Sequence, residues 1–238
     1  MPERFFAGNT PPVSPAADHL SLLSGPPACG KTSLLFQFAI NCAADNARTV
    51  VFICNKKRLD HKPPFLSREI CLLGLDPASE ILGRIQMKYV DDYDDIKKYF
   101  AAFHLLESFP VAVIIDDFGD FFTKVKYVDK YGPRDRNFSM VHALGLCSNA
   151  IAHANKKLQP SDSCKLLLSE THKRDSTSLF IYKRWIDSMF TIEDARGDGA
   201  GSFFLKRKPN PYSRPTSIRT AKYSVACPFL TLEEIANQ

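Results

Sequence analysis

A short apolar run from Leu20 passes through Gly25 into Pro-Pro-Ala-Cys and then Gly30-Lys31-Thr32, where a helical pattern of apolar residues begins. Gly25 to Thr32 satisfy GxxxxGK[ST], and the motif is informative because a strand precedes it and a helix follows it. Such a chain has to turn sharply from a buried strand into a helix while wrapping something small and negatively charged. Gly25 and Gly30 let the backbone curl closely, and the N–H groups of Ala28, Cys29, Gly30, Lys31 and Thr32, with Ser33 next in line, face the anion. Lys31 places a cation on terminal phosphates, and Thr32 offers a hydroxyl to Mg²⁺. Pro26 and Pro27 have no N–H to give, but they precede the donors. They stiffen the loop without removing its anion grip.

A phosphate loop of this kind needs a carboxylate at the end of a neighbouring buried strand to hold the Mg²⁺ shell. "VAVIIDD" (111–117) supplies Asp116, the first carboxylate after five apolar residues, with Asp117 beside it. "DDFG" (116–119) imitates a protein-kinase signature, yet no HRD-type loop precedes it and the glycine loop is of another kind. "NKKR" (55–58) imitates a guanine-reading NKxD, but its fourth residue is Arg58 and it precedes the Asp116 strand. Adenine is therefore the expected base, and ATP with Mg²⁺ the expected ligand.

The rest of the chain alternates in type. "LSLLSG" (20–25), "TVVFIC" (49–54), "VAVIIDD" and "CKLLLSE" (164–170) are buried strands, and "RIQMKYV" (84–90) suits a half-covered edge strand. Helices are expected over 31–44, from 92 to 108 with carboxylates crowding the first turns, and over 138–157. "NKKRLDHKPP" interrupts the pattern with charge and two prolines. From about Trp185 onward, "MFTIED", "GSFFLKRK" and "IRTAKYSV" are short runs separated by Gly, Pro and Asn, which predicts hairpins at one end of a mainly parallel sheet. The 238 residues, 45% of them hydrophobic, suit one α/β domain over 19–238. It divides into a core over 19–184 and a strand extension over 185–238, with a loose arm at residues 1–18.

No run reaches the roughly 20 apolar residues of a membrane helix, so a soluble, intracellular chain with no membrane partner is expected. Seven cysteines scattered without a CxxC pair predict buried reduced thiols rather than a disulfide framework or zinc site. The net charge of +5 permits an anionic partner, and its distribution is uneven. Between Ser202 and Tyr223 stand six basic residues and no acidic one.

The phosphate-loop strand, the second strand, "VIIDD" and a fourth apolar strand ending in "LLLSE" together resemble the RecA-type recombinase ATPase core. Within it the chain is most similar to the small recombinase paralogues that partner a SWIM-type zinc-finger protein in Shu-like DNA repair complexes. That likeness rests on "LLF" in the first helix, "DPASEILGRIQMKYV", "IIDDF" and "YKRWIDSMFTI". It implies an α/β fold with a RecA-like P-loop NTPase core, a heterodimer with a SWIM-type partner, a nuclear location, and help to recombinase on single-stranded DNA in homologous recombination.

Three departures bear on function. RecA-type ATPases place a catalytic glutamate just after the second strand, whereas here that place holds Asn55, Lys56 and Lys57. A positioned base is worth about 10²- to 10⁴-fold, so slow hydrolysis is expected. The family's fourth strand usually ends in a glutamine that senses the γ-phosphate, and Glu170 stands there instead. It is open as a displaced catalytic base beside Lys31 and Asp116, as a structural ion-pair partner, or as a surface residue. The phosphate loop also begins near residue 25, with no helical N-terminal domain before it, so long filaments of this chain alone are not expected. "FQFA" (36–39) imitates the motif by which recombinases interlock, but on this helix Phe36 or Phe38 must pack in the core.

By the same resemblance, the segments after the third and fourth strands line a DNA channel. In them Lys124, Lys126, Lys130, Arg134, Arg136, Lys173, Arg174, Lys183 and Arg184 interleave with aromatic residues, which suits single strands. The bland alternative for these loops is a solvated basic surface, and the 206–222 run could meet an acidic partner instead. Two further functional readings are a scaffold in which ATP holds an interface but is scarcely hydrolysed, and a small-molecule kinase. The kinase would need an arginine-rich lid, for which 55–68 and 129–136 look poor.

Overall fold

Strands that are apolar at every position must be covered on both faces, and the computed structural model of the chain shows how. It describes residues 5–6, 18–67, 79–122, 133–159, 162–172, 179–195, 201–208, 219–226 and 229–237. The strands are β1 (Leu20–Gly25), β2 (Val50–Cys54), β3 (Leu66–Ser67), β4 (Ile85–Tyr89), β5 (Ala112–Ile115), β6 (Lys165–Thr171), β7 (Ser188–Asp194), β8 (Ser202–Lys208), β9 (Arg219–Ala226) and β10 (Phe229–Asn237). The helices are α1 (Lys31–Asp45), α2 (Lys56–His61), α3 (Glu80–Gly83), α4 (Tyr93–Ala101), α5 (Pro133–Lys157) and α6 (Leu179–Lys183).

Among the described residues one sheet of ten strands runs in the order β3-β10-β9-β8-β7-β1-β6-β5-β2-β4. From β7 to β4 every neighbouring pair is parallel. From β7 to β10 the pairs are antiparallel. The mainly parallel sheet with antiparallel C-terminal hairpins is thus as expected, except that β7 pairs parallel to β1 and belongs to the core rather than to the extension.

Period-two alternation divides each core strand between two layers. Leu22, Val51, Ile53, Val113, Ile115, Leu166 and Leu168 share a cluster with Ile96 and Phe100 of α4, Met140 and Leu144 of α5, and Tyr182 of α6. Leu23, Val50, Phe52, Ala112, Ile114 and Leu167 pack with Leu34, Leu35 and Phe38 of α1. Phe36 meets Phe52 at a ring separation of 5.5 Å, so both phenylalanines of "FQFA" serve the core.

Several expectations are corrected. The arm is not loose at Phe5 and Phe6, which are buried. Phe5 packs between Phe38 and Phe190, with ring centroids 5.5 and 5.4 Å away, and Phe6 lies 5.4 Å from Tyr223. The charged break after β2 opens with helix α2, because Asn55 caps it by accepting the Arg58 N–H at 3.3 Å. The helix expected from 92 to 108 carries Asp94 and Asp95 in its first turn, as expected, and is capped by the Asp92 carboxylate, but it ends at Ala101, where a 3-10 turn over Phe103–Leu105 follows. Helix α5 starts at Pro133, five residues before the predicted 138. Cys29, Cys42, Cys54, Cys147 and Cys164 are buried free thiols, as expected, while Cys71 and Cys227 lie outside the described residues. Among the described residues no helix is long and apolar enough to cross a membrane.

Candidate functional site

β1 ends at Gly25 and α1 starts at Lys31, with Gly30 as its N-terminal cap at φ 78° and Ala28 also left-handed at φ 60°. A Cβ at Gly25 would lie 2.8 Å from Cβ of Ile192 and 2.9 Å from Cys29 Sγ. One at Gly30 would lie 2.8 Å from Val225 Cγ2. The loop is therefore pressed between the strand that ends at Asp194 and the hairpin strand carrying Val225, and only glycine fits. Tyr223 reinforces this backing: its buried O–H donates to the Cys29 carbonyl at 2.7 Å.

Lys31 is buried, with its ammonium turned back to donate to the Pro26 carbonyl at 2.8 Å and the Gly25 carbonyl at 3.4 Å. The first proline gives no N–H, but its carbonyl helps hold the cation in place. Ser33 is buried one residue beyond Thr32, and its Oγ accepts the Phe65 N–H at 2.9 Å.

β6 lies between β1 and β5, so the Asp116 strand is not next to the phosphate-loop strand. The two ends are joined by side chains instead. Thr32 Oγ1 donates to Asp116 Oδ2 at 2.8 Å, and Ser169 Oγ donates to Asp116 Oδ1 at 2.9 Å while accepting the Asp117 N–H at 2.7 Å. Burial, and then the charge of Asp117, push the Asp116 carboxyl up to about 6 against the pull of Thr32, Ser169 and Arg58. Asp117 is held left-handed at φ 48°, which a non-glycine residue adopts at a cost of about 1 to 3 kcal/mol. Its carboxylate accepts from Thr171 Oγ1 at 2.6 Å and pairs with Arg58, whose other arm reaches Asp120 at 2.5 Å.

A hydroxyl and a carboxylate in contact are hard oxygen donors that fit Mg²⁺. Among the described residues no group of three His, Cys, Asp or Glu side chains forms a self-sufficient metal cage. A cation held by Thr32 and Asp116 would take its remaining ligands from water and phosphate oxygens, as Mg²⁺ commonly does.

Beside this pair opens a cavity of about 350 Å³ lined by Thr32, Asp116, Leu59 and the basic side chains Lys57, Arg58, His61 and Lys62. The segment judged a poor lid thus forms a cationic wall. Asn55 stands directly after β2, where the RecA-type resemblance would put a glutamate. Beyond capping α2, it donates to the Val90 carbonyl at 3.4 Å and to Asp91 Oδ1 at 3.2 Å.

Glu170 is buried, which removes the surface alternative. It points to the face of the sheet that carries α5 and α6, where it accepts the Tyr182 O–H at 2.6 Å and the Gly119 N–H at 2.9 Å. Burial raises its carboxyl above the ordinary value, and those two bonds lower it. The contacts favour a structural role, fastening the turn after β5 to α6.

Of the expected DNA-contacting residues, Lys183 and Arg184 are exposed at the end of α6. Arg136 instead reaches the Gly119 carbonyl at 3.4 Å, next to Glu170. Lys124, Lys126, Lys130, Lys173, Arg174 and the side chain of Arg134 lie outside the described residues. In the basic run, Lys206 pairs with Glu193 at 2.8 Å, Arg207 with Asp18 at 2.5 Å and Lys222 with Glu233 at 3.2 Å. Among the described residues, three charges of the run are thus paired within the chain.

Sequence reasoning missed Ser169, Tyr223 and Arg58. An asparagine three residues before Arg58, at the end of a strand, is a helix-start signal that could have placed it on α2. No protein-family model matches this sequence, and no curated protein matches it. Its structure is similar to the crystal structure of a KaiC-like protein from the hyperthermophilic archaeon Pyrococcus horikoshii OT3, with a TM-score of 0.59 and 13% identity over 91% of this chain and 90% of that one. The chain has a KaiC/RecA-like fold, and at that identity what the fold does rests on the residues themselves.

Proposed function

We propose that the chain is an ATP-binding, RecA-like recombinase paralogue that holds ATP with Mg²⁺, hydrolyses it slowly and acts in homologous recombination. The carrying observation is the 2.8 Å bond between Thr32 and Asp116 at the mouth of the phosphate loop, across two strands that are not neighbours. Bound Mg²⁺ supplies charge neutralisation at the phosphate oxygens. The loop N–H groups orient the phosphates, Lys31 adds its ammonium, and Thr32 with Asp116 holds the cation.

The recombination part is supported by the resemblance in "IIDDF" and "YKRWIDSMFTI" together with the RecA-like fold. On that reading the chain works in the nucleus as a heterodimer with a SWIM-type zinc-finger protein. It helps assemble or stabilise recombinase on single-stranded DNA, which it contacts through basic loops and the exposed Lys183 and Arg184. A second reading, a nucleotide-stabilised scaffold, is favoured by Asn55, an amide in the place of a base. One experiment tests both: ATP binding and turnover by the purified protein, with and without single-stranded DNA, beside Lys31→Ala. Mg²⁺-dependent binding that Lys31→Ala abolishes is the expected result. DNA-stimulated turnover supports the recombinase paralogue, binding without turnover the scaffold, and no ATP binding refutes both.

A further inference from the structure

Arg58 is the cation of the cavity wall that is bonded to the acidic cluster next to Asp116. Its side chain is 46% exposed, while its partner Asp117 is 6% exposed and Asp120 37%. It lines the same cavity as Thr32 and Asp116. It rides on α2, a helix of six residues with no buried side chain, tied at its start by Asn55. Leu59 is its one partly buried side chain, packed against the core, so moving the helix disturbs little core packing.

Asp117 and Asp120 both reach the Arg58 guanidinium, and Asp116 beside them adds to the negative charge it faces. A divalent cation joining Thr32 and Asp116 would offset part of that charge. With that cation present, the acids depend less on Arg58, and a phosphate group in the cavity offers the same fork-shaped guanidinium a doubly charged acceptor. A lysine would pair with one carboxylate at a time, whereas arginine can pass from a carboxylate pair to a phosphate without losing bidentate geometry.

We propose that Arg58 is the residue that distinguishes a nucleoside triphosphate from a diphosphate: stored on Asp117 and Asp120 in the free chain, it transfers to the terminal phosphate when the triphosphate is bound. The inference rests on the nucleotide reading above and adds a specificity residue supplied by the chain's own second helix, at the point where a water-orienting glutamate is absent. The same arrangement fits the slow turnover proposed above. The Arg58 guanidinium would hold the terminal phosphate but accepts no proton from water.

The test is calorimetric titration of the full chain with adenylyl imidodiphosphate and with ADP, each with Mg²⁺, for wild type, Arg58→Ala and Asp120→Asn. Arg58→Ala is expected to weaken the triphosphate analogue about 10- to 100-fold, the range of a charge-assisted hydrogen-bond pair, and to leave ADP within about twofold. Asp120→Asn removes a competing carboxylate from a half-exposed position and is expected to tighten the analogue without changing ADP. Equal losses for both nucleotides in Arg58→Ala, or an unchanged or weaker analogue in Asp120→Asn, overturn the proposal. Should Arg58→Ala fail to fold, the Asp120→Asn result decides alone. Wild-type protein that binds neither nucleotide overturns the nucleotide reading, and this inference with it.

Discussion

Replacing Asp116 with Asn is expected to stabilise the nucleotide-free chain at pH 8 while destroying its affinity for Mg²⁺ and ATP. The carboxyl is raised from 3.8 to about 6, first by burial and then by Asp117. Between those values the folded protein keeps a proton that the unfolded chain has released, so stability falls as pH rises through the window. Above pH 6 the accumulated penalty is about 3 kcal/mol, at roughly 1.4 kcal/mol per unit. Asparagine carries no charge and so escapes it. The amide still fits between the Thr32 and Ser169 hydroxyls, which can each donate or accept, and the weaker bonds return about 1 kcal/mol of the gain. The net is about 2 kcal/mol at pH 8, a rise in melting temperature of about 4–8 °C for a domain of this size.

Urea denaturation of both proteins from pH 5 to pH 8 measures the gap. At pH 5 wild-type Asp116 is mostly protonated when folded, and the variant's advantage shrinks to about 1 kcal/mol or less. Adding Mg²⁺ and ATP at pH 8 stabilises wild type alone and reverses the order. A variant that is no more stable than wild type at pH 8, or whose advantage is the same at pH 5, would refute the assignment of Asp116 as a carboxylate held against its own burial.

Tyr223→Phe removes the O–H that holds the Cys29 carbonyl, and about 1 kcal/mol of stability with weaker ATP binding is expected from denaturation and calorimetry. Gly30→Ala forces a Cβ onto Val225 at φ 78° and is expected to abolish ATP binding and lower the melting temperature. Glu170→Gln keeps acceptors for Tyr182 and Gly119, so ATP turnover within about twofold of wild type marks a structural residue, whereas a loss of about 100-fold or more marks a base. Phe5→Ala is expected to cost about 3 kcal/mol in urea denaturation, and an unchanged midpoint would place Phe5 outside the core.

The parallel core was legible because β2 and β5 are apolar at every position and β1 and β6 carry short leucine-rich runs, all of them largely buried. Asp116 was legible as the first charge after such a run, and Thr32 from the motif. What linked them was not. Ser169 matters because β6 is inserted between β1 and β5, and strand order is a property of long-range pairing that no local stretch encodes. Arg58 escaped because α2 turns a single apolar side chain, Leu59, to the core, which leaves no periodicity to detect. Phe5 and Phe6 escaped for a related reason: two aromatic residues in a proline-rich arm are a pattern too short to show a face. Ser169 and Glu170 are adjacent on a strand and so point to opposite faces, one to Asp116 and the other to Tyr182. Which face carries the phosphate loop is set by α1, far away in sequence.

On the reading proposed above, the site has what would grip a nucleotide and lacks what would position water, and its electrostatics link that grip to the fold. Burial raises the Asp116 carboxyl, so its ionised form is expected to oppose folding, and a cation at Thr32 and Asp116 would relieve that penalty. The loop over residues 25–32 is backed by Tyr223 through Cys29 and by Val225 against Gly30, both on β9, which also pairs with β8 and β10. The loop and the C-terminal hairpins therefore share these two contacts. A ligand that fixes the loop stabilises the hairpins whether or not it is ever hydrolysed, and for that effect binding energy matters and turnover does not.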